Sequence, residues 1–468
     1  MEEKKKGKQI IFAVLGVMFV IAVIICFVIA SQHTNTNTKT SNISSTSESA
    51  ISISSEYENI DYGTSTDVQD TNTVKITTGG SYNLSGTYES IYVNTTENVE
   101  LNLNGVEITC TSGPAIYVEN AKSVSIVLTG TNTITATTTE ELDGAIYSKD
   151  DLVFSGTGSL EFKSNYDGIV SNDTLVINSG TYTINADDDG IRGKDSVAIV
   201  NGTFTITAGG DGIKSTNDED TTKGYITIDG GTFNITSYND GIQAETEVAI
   251  SGGTFTIKTT DTSSLDSAKG IKAVTLIQIS GGTFNINSVD DGIHSNGNIE
   301  INNGEFTITS KDDAIHADGL VEINAGTFTI SAAEGIEATY IRINDGTINI
   351  SASDDGINAG NKSTSYSVTV EINGGYITIK MGSGDTDGID ANGNIYINGG
   401  TIDITGNSPF DYDGNAEYNG GTIIVNGTKT NTITNQMMGG GMMNNGGMMN
   451  GGGKQKGQNH GGPGGMNF

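Results

Sequence analysis

One tripeptide, Asp-Gly-Ile or a close variant, returns along most of this chain, and it restricts the fold more than any other feature. Its central Gly or Ala stands at 144, 168, 190, 212, 241, 270, 292, 314, 335, 356 and 388. The commonest step is 22 residues, with others of 21, 24, 29 and 32. A second motif, Gly-Thr-Phe followed by alternation, shares this period, as in Gly202-Thr203-Phe204-Thr205-Ile206-Thr207. Each unit therefore holds two or three short runs of period two, punctuated by Gly, Asn-Gly or Asp-Gly. No run has helical length or period. A repeat of about 22 residues built from such runs suits one coil of a parallel β-helix, an all-β solenoid of about thirteen coils.

Stacking assigns the columns. Tyr182, Phe204, Phe233, Phe255, Phe284, Phe306 and Phe328 fall inside, one per coil, as do the motif isoleucines from Ile169 to Ile357. Alternation turns Thr203, Thr205 and Thr207 outward. The longer steps predict loops at a corner, over 215–223 and 260–268. Asn178, Asn201 and Asn324 are expected to take the left-handed turn positions at strand ends.

The residue before the motif Gly is acidic in ten of eleven coils: Asp143, Asp167, Asp189, Asp211, Asp240, Asp291, Asp313, Glu334, Asp355 and Asp387, with Lys269 the exception. Asp188, Asp290, Asp312 and Asp354 double it. Carboxylates stacked about 4.8 Å apart repel by roughly 1 kcal/mol in water and more at lower dielectric. Protonation, Lys269 or bound cations would relieve them. Asp-Gly makes a turn by itself, which accounts for one Asp per coil but not for the doubled pairs. Several hard oxygen donors beside turn carbonyls suit calcium. The candidate metal ligands are thus Asp188, Asp189, Asp211, Asp240, Asp290, Asp291, Asp312, Asp313, Asp354 and Asp355. The residue after the motif Ile forms a second column, several of whose members are basic. Arg192, Lys214, Lys272, His294 and His316 are candidates to receive an anionic ligand, or else to pair with the acidic column. His294 and His316 stand on successive coils near Asp291 and Asp313, an arrangement open to zinc although nothing else nearby supplies soft ligands.

The ends differ from the repeat. Ile10–Ala30 is an uncharged apolar run preceded by Lys4, Lys5, Lys6 and Lys8. It reads as a membrane anchor with a cytoplasmic N-terminus, or as a cleaved signal segment. Residues 31–73 form a Ser/Thr-rich linker, with 31–56 a flexible tether. The β-helix occupies 74–435, and the Met/Gly/Asn-rich residues 436–468 are expected to be disordered. A net charge of −33 excludes a general nucleic-acid binder, since phosphate contacts need clustered cations. Everything after residue 30 is exported on either reading.

Leu103-Asn104-Gly105-Val106-Glu107-Ile108, Pro114-Ala115-Ile116-Tyr117-Val118, Asp189-Gly190-Ile191-Arg192 and Gly210-Asp211-Gly212-Ile213-Lys214, with the Met/Gly-rich tail, resemble the clostridial calcium-binding carbohydrate-binding β-helix family. The resemblance spans roughly 74–435. It implies a right-handed parallel β-helix like that of pectate lyases, bound calcium, and non-catalytic binding of plant cell-wall polysaccharides, notably polygalacturonate and cellulose. It implies a protein exported by a Gram-positive bacterium, at the outer face of the cell membrane or secreted, and we expect a monomer. Two alternatives stand beside it. A calcium-dependent pectate-type lyase would use Arg192 as its base. A structural surface adhesin would use the coil stack as a spacer.

Overall fold

The computed structural model describes residues 49–68, 72–262, 268–383 and 386–435. Among these residues 43 strands join one continuous sheet, and successive coils pair in parallel. The stack is a solenoid with three columns of strands. The first contains the Phe strands, such as Thr203–Ala208 and Thr232–Ser237. The second contains the motif strands, such as Ile213–Ser215 and Ile242–Ala244. The third contains strands such as Tyr225–Ile228 and Glu247–Ile250.

Four long strands, Gly80–Tyr88, Asn98–Cys110, Ile315–Ile323 and Ile336–Ile343, each serve two columns. The described strands thus make about fifteen coils, more than the spacing predicted. The difference lies in the first coils. There the motif position holds Ser90-Ile91 and Ala115-Ile116, which stack without Asp-Gly.

Alternation fills the interior as expected. Phe204, Phe233, Phe255, Phe284, Phe306 and Phe328 are buried, with successive ring centroids 4.6–4.8 Å apart and ring planes within 4° of parallel. The ring spacing equals the strand spacing of about 4.8 Å, so one Phe per coil stacks continuously. The 29-residue steps leave the register intact, because Lys214 pairs with Gln243 and Gln243 with Lys272. A further ladder of amides runs from Asn302 through Asn324, Asn344, Asn373 and Asn398 to Asn419, each donating to the carbonyl below at 2.7–2.9 Å.

The left-handed turn positions fall on glycine rather than on the expected asparagines. Gly202 has φ 150° and Gly326 φ 119°, and a Cβ on Gly202 would sit 2.8 Å from the Phe204 ring. Asn201 instead accepts the Gly202 N–H at 2.8 Å, Asn178 accepts from Ser54, and Asn324 joins the amide ladder.

The tether expected over 31–56 is corrected in its described part. Ala50–Ser55 is a helix capped by Ser49, whose Oγ accepts the Ser52 N–H at 3.1 Å. Ala50 and Ile53 cover Val153, Val176 and Ala198, which point outward from the third column. An apolar strip on an outer strand face needs such a cover. The Ile51 N–H donates to Asp229 at 2.8 Å and the Ser54 hydroxyl to Asn178 at 2.6 Å. At the other end Asn426-Gly427 turns the chain with positive φ at both residues, and Thr428–Thr430 pairs antiparallel with Thr422–Val425. No helix among the described residues is long and apolar enough to cross a membrane. The apolar run Ile10–Ala30 and the tail 436–468 lie outside the described residues.

Candidate functional site

The acidic column begins as a backbone device. At the corner before each motif strand, the carboxylate of one coil accepts the backbone N–H of the next. Asp189 donates in this way to Asp167 at 2.9 Å, Asp211 to Asp189 at 2.8 Å, Asp240 to Asp211 at 2.8 Å, and Lys269 to Asp240 at 2.7 Å. The pattern returns with Asp313 to Asp291 at 3.1 Å and Asp387 to Asp355 at 2.8 Å. A corner N–H needs an acceptor, and a carboxylate oxygen supplies a charge-assisted one.

The second oxygen of these carboxylates faces the other column. In Asp-Gly-Ile-X the strand starts at the inward Ile, X points outward, and the Asp at the corner before the strand lies within reach of X. Lys214 reaches Asp211 at 2.7 Å and Asp189 at 3.5 Å, and Lys272 reaches Asp240 at 3.2 Å. Arg192 spans two coils, with Nη2 2.5 Å from Asp143 and Nε 2.8 Å from Asp167; the latter is an ion contact rather than an aligned hydrogen bond. Lys269 pairs with Asp290, and with Asp291 at 3.2 Å. His294 Nδ1 lies 2.7 Å from Asp291, and His316 Nδ1 lies 2.7 Å from Asp313 and 3.1 Å from Glu337.

All five basic candidates are therefore engaged by carboxylates. Asp189, Asp211, Asp240, Asp291 and Asp313 are buried. Asp290 and Asp355 are half-buried, whereas Asp188, Asp312 and Asp354 are exposed. Two triads of carboxylate oxygens, Asp167–Asp188–Asp189 and Asp290–Asp291–Asp312, gather within 4.8 Å.

Repulsion along the column is also relieved by protons. Burial pushes Asp167 up to about 8 although Arg192 pulls the other way. Burial raises Glu334 to about 8, opposed by its hydrogen bond from Asn358. Asp390 rises to about 7 through burial, then through Asp355, Asp387 and Asp411. At Asp291 burial is outweighed by the His294 hydrogen bond, Lys269 and both imidazoles, which bring it down to about 2.

A raised carboxyl contributes stability at low pH and loses it as pH climbs toward its folded value. Asp390 should therefore cost the fold stability between about pH 4 and 7. Asp390→Asn should show a smaller fall in melting temperature between pH 5 and 8 than the parent chain. Identical falls, followed by circular dichroism, would refute the assignment.

Sequence reasoning missed one row. In the coils up to the start of the acidic column at Asp143, the second-column position holds Tyr92, Tyr117 and Tyr147 in register, followed by Val170 and Arg192. Their ring centroids lie 5.7 and 6.1 Å apart, tilted by 59° and 62°. Tyr92 and Tyr117 are half-buried, and Tyr147 is 8% exposed. Lys149 stands 5.9 Å over the Tyr117 ring and pairs with Glu119 at 2.8 Å. Glu119 also accepts the Tyr117 hydroxyl, while Asn94 and Asn172 donate to the Tyr92 and Tyr147 hydroxyls at 3.0 and 2.9 Å. The available signal was the Ile-Tyr pair repeated at 91, 116 and 146. Tyr238 is exposed away from this row, and Tyr340 packs against Tyr366 and Arg342 on the third column.

A model of the carbohydrate-binding domain-containing protein family matches residues 70–314 and 309–438. The chain belongs to that family. The match covers the coil stack, so the tyrosine row and the paired charge columns both lie inside the matched residues. A carbohydrate-binding domain-containing protein of Acetivibrio thermocellus is 34% identical over 122 residues, which is 23% of this chain. The match spans 43% of that relative's length. A solved structure described as a polysaccharide lyase-like protein from C. thermocellum, a gadolinium derivative, is 29% identical. It covers 47% of this chain and 91% of its own, with a TM-score of 0.38.

Proposed function

We propose that this carbohydrate-binding protein holds a plant cell-wall polysaccharide, polygalacturonate or cellulose, along its second column without cleaving it. The observation that carries this reading is the in-register row Tyr92, Tyr117 and Tyr147. Sugars offer apolar C–H faces to aromatic rings and hydroxyls to amides and carboxylates, and Glu119, Asn94 and Asn172 stand among these rings. The coil spacing of about 4.8 Å is comparable to the length of one sugar unit, so a chain along the axis meets one ring per coil.

Calcium is part of the proposal for an acidic polymer. The two carboxylate triads offer the hard oxygens that calcium prefers, and exposed Asp188 and Asp312 leave each set open to solvent. Arg192 and Lys269 compete for the inner oxygens, so Asp188 and Asp312 would hold the ion at the surface. There calcium would supply a bridge to uronate carboxylates. Lyase chemistry needs a deprotonated base. Arg192 and Lys214 are held charged by their carboxylates although burial opposes it, which favours binding over cleavage. A segment 1–30 acting as anchor or signal would place this face outside the cell.

The test is co-sedimentation of the full chain with insoluble polygalacturonate and with cellulose, in calcium and in chelator. Tyr117→Ala should weaken binding about tenfold, equivalent to about 1.4 kcal/mol, with the fold intact. Unchanged binding by that variant would discard the tyrosine row. Polygalacturonate binding that survives chelation would discard the calcium bridge. Binding to neither polymer would favour a spacer.

A further inference from the structure

The second column changes character at two consecutive coils, away from the tyrosine row. Where Arg192, Lys214 and Lys272 supply cations, the next two positions are His294 and His316, paired directly in register. Their ring centroids are 4.7 Å apart at 41°. Nitrogen or oxygen atoms of Asp291, His294 and His316 all lie within 4.8 Å of one another. A second set, Asp313, His316 and Glu337, meets the same criterion and shares His316. Their side chains are between 4% and 13% exposed, so the donors are sheltered yet reachable.

We propose that Asp291, His294 and His316 form a binding site for a borderline divalent cation of the zinc, cobalt or nickel class, with Asp313 and Glu337 as neighbouring donors.

The donor chemistry selects this class. Two imidazole nitrogens with carboxylates are the usual set for such ions, whereas calcium prefers oxygen alone. Bonds of about 2.0–2.2 Å put tetrahedral ligand atoms about 3.3 Å apart, between the 2.7 Å contact of His294 with Asp291 and the 4.8 Å limit of the set. Lys269 also reaches this Asp291 oxygen, at 3.2 Å, but it keeps Asp290 as a partner, so its withdrawal to Asp290 together with small ring rotations would admit an ion in place of the shared proton. The competing reading is that both imidazoles are protonated and repeat the role of Lys214. Two stacked cations at this separation repel by about 1 kcal/mol in water and more at lower dielectric. A single shared ion carries the charge without that repulsion.

Cobalt(II) titration of the full chain tests the site. One equivalent should produce visible absorption bands of a low-coordinate nitrogen–oxygen site, and zinc should abolish them. His294→Ala and His316→Ala should each lower affinity at least tenfold, while His33→Ala with His460→Ala should change nothing. Absence of bands, or bands that survive both site variants, would overturn the proposal. Should the site variants misfold, the parent chain still decides the matter. Zinc should protect His294 and His316 from diethylpyrocarbonate, read by peptide mass, and calcium should not. Equal modification with and without zinc would overturn it.

Discussion

Phe255→Ala should lower unfolding stability by about 3–5 kcal/mol, the usual cost of emptying a fully buried aromatic site. Phe255 is 1% exposed and lies 4.7 Å from Phe233 and 4.8 Å from Phe284, with ring planes within 2°. Its removal takes a layer from a continuous stack, and the coils on either side cannot close the gap without breaking their ladders. Stability in a solenoid is carried by nearest-neighbour interfaces. The variant should therefore also lose cooperativity and unfold in two steps under urea. Thr256→Ala, one residue along and exposed, should stay within about 0.5 kcal/mol. Similar losses for the two variants would show that the Phe column is not the core of the stack.

Arg192→Ala should cost about 2 kcal/mol at pH 9 and less at pH 6. Arg192 joins Asp143 on one coil to Asp167 on the next, and Asp167 is 2% exposed. Removing one partner of a buried pair costs about 3–5 kcal/mol, and the 24% exposure of the arginine side chain reduces that through solvent screening. The pH dependence follows from Asp167. Burial already lifts its carboxyl to about 8 against the pull of Arg192, and loss of the guanidinium lifts it further. Below about pH 8 the carboxyl is protonated in both folded forms and their stabilities fall together as pH rises, so the deficit of the variant grows as the parent's Asp167 ionises beside Arg192, above about pH 8. Urea titrations at both values measure it. A deficit independent of pH would mean that Arg192 acts by packing alone. Unsaturated product formed by the parent chain and abolished in the same variant would favour the lyase reading over binding.

The interior was legible because local alternation decides it. Phe204 and Ile206 turn inward whatever coil lies above them, and the recurring Ile after Gly marks the second column. The acidic column was legible as a list, but its use was not. A carboxylate that accepts the N–H of the next coil looks in sequence like a turn former or a calcium ligand. The tyrosine row escaped because two of its three coils, those of Tyr92 and Tyr117, lack the Asp-Gly marker by which the others were aligned. The helix Ala50–Ser55 escaped because its sequence is too short and too rich in Ser to read as one, and only the outward Val153, Val176 and Ala198 give it a place to dock.

By itself the sequence determined the coil, its period and its inward face, because these depend on residues one or two positions apart. The tertiary structure decided which outward groups meet. Arg192 and Asp143 are 49 residues apart, and Lys272 and Asp240 are 32 apart. Loops of different length lie between such partners, and the strand ladders absorb those differences before the side chains come into register. The partners of an outward charge are therefore set by backbone hydrogen bonds between coils, which no local pattern encodes.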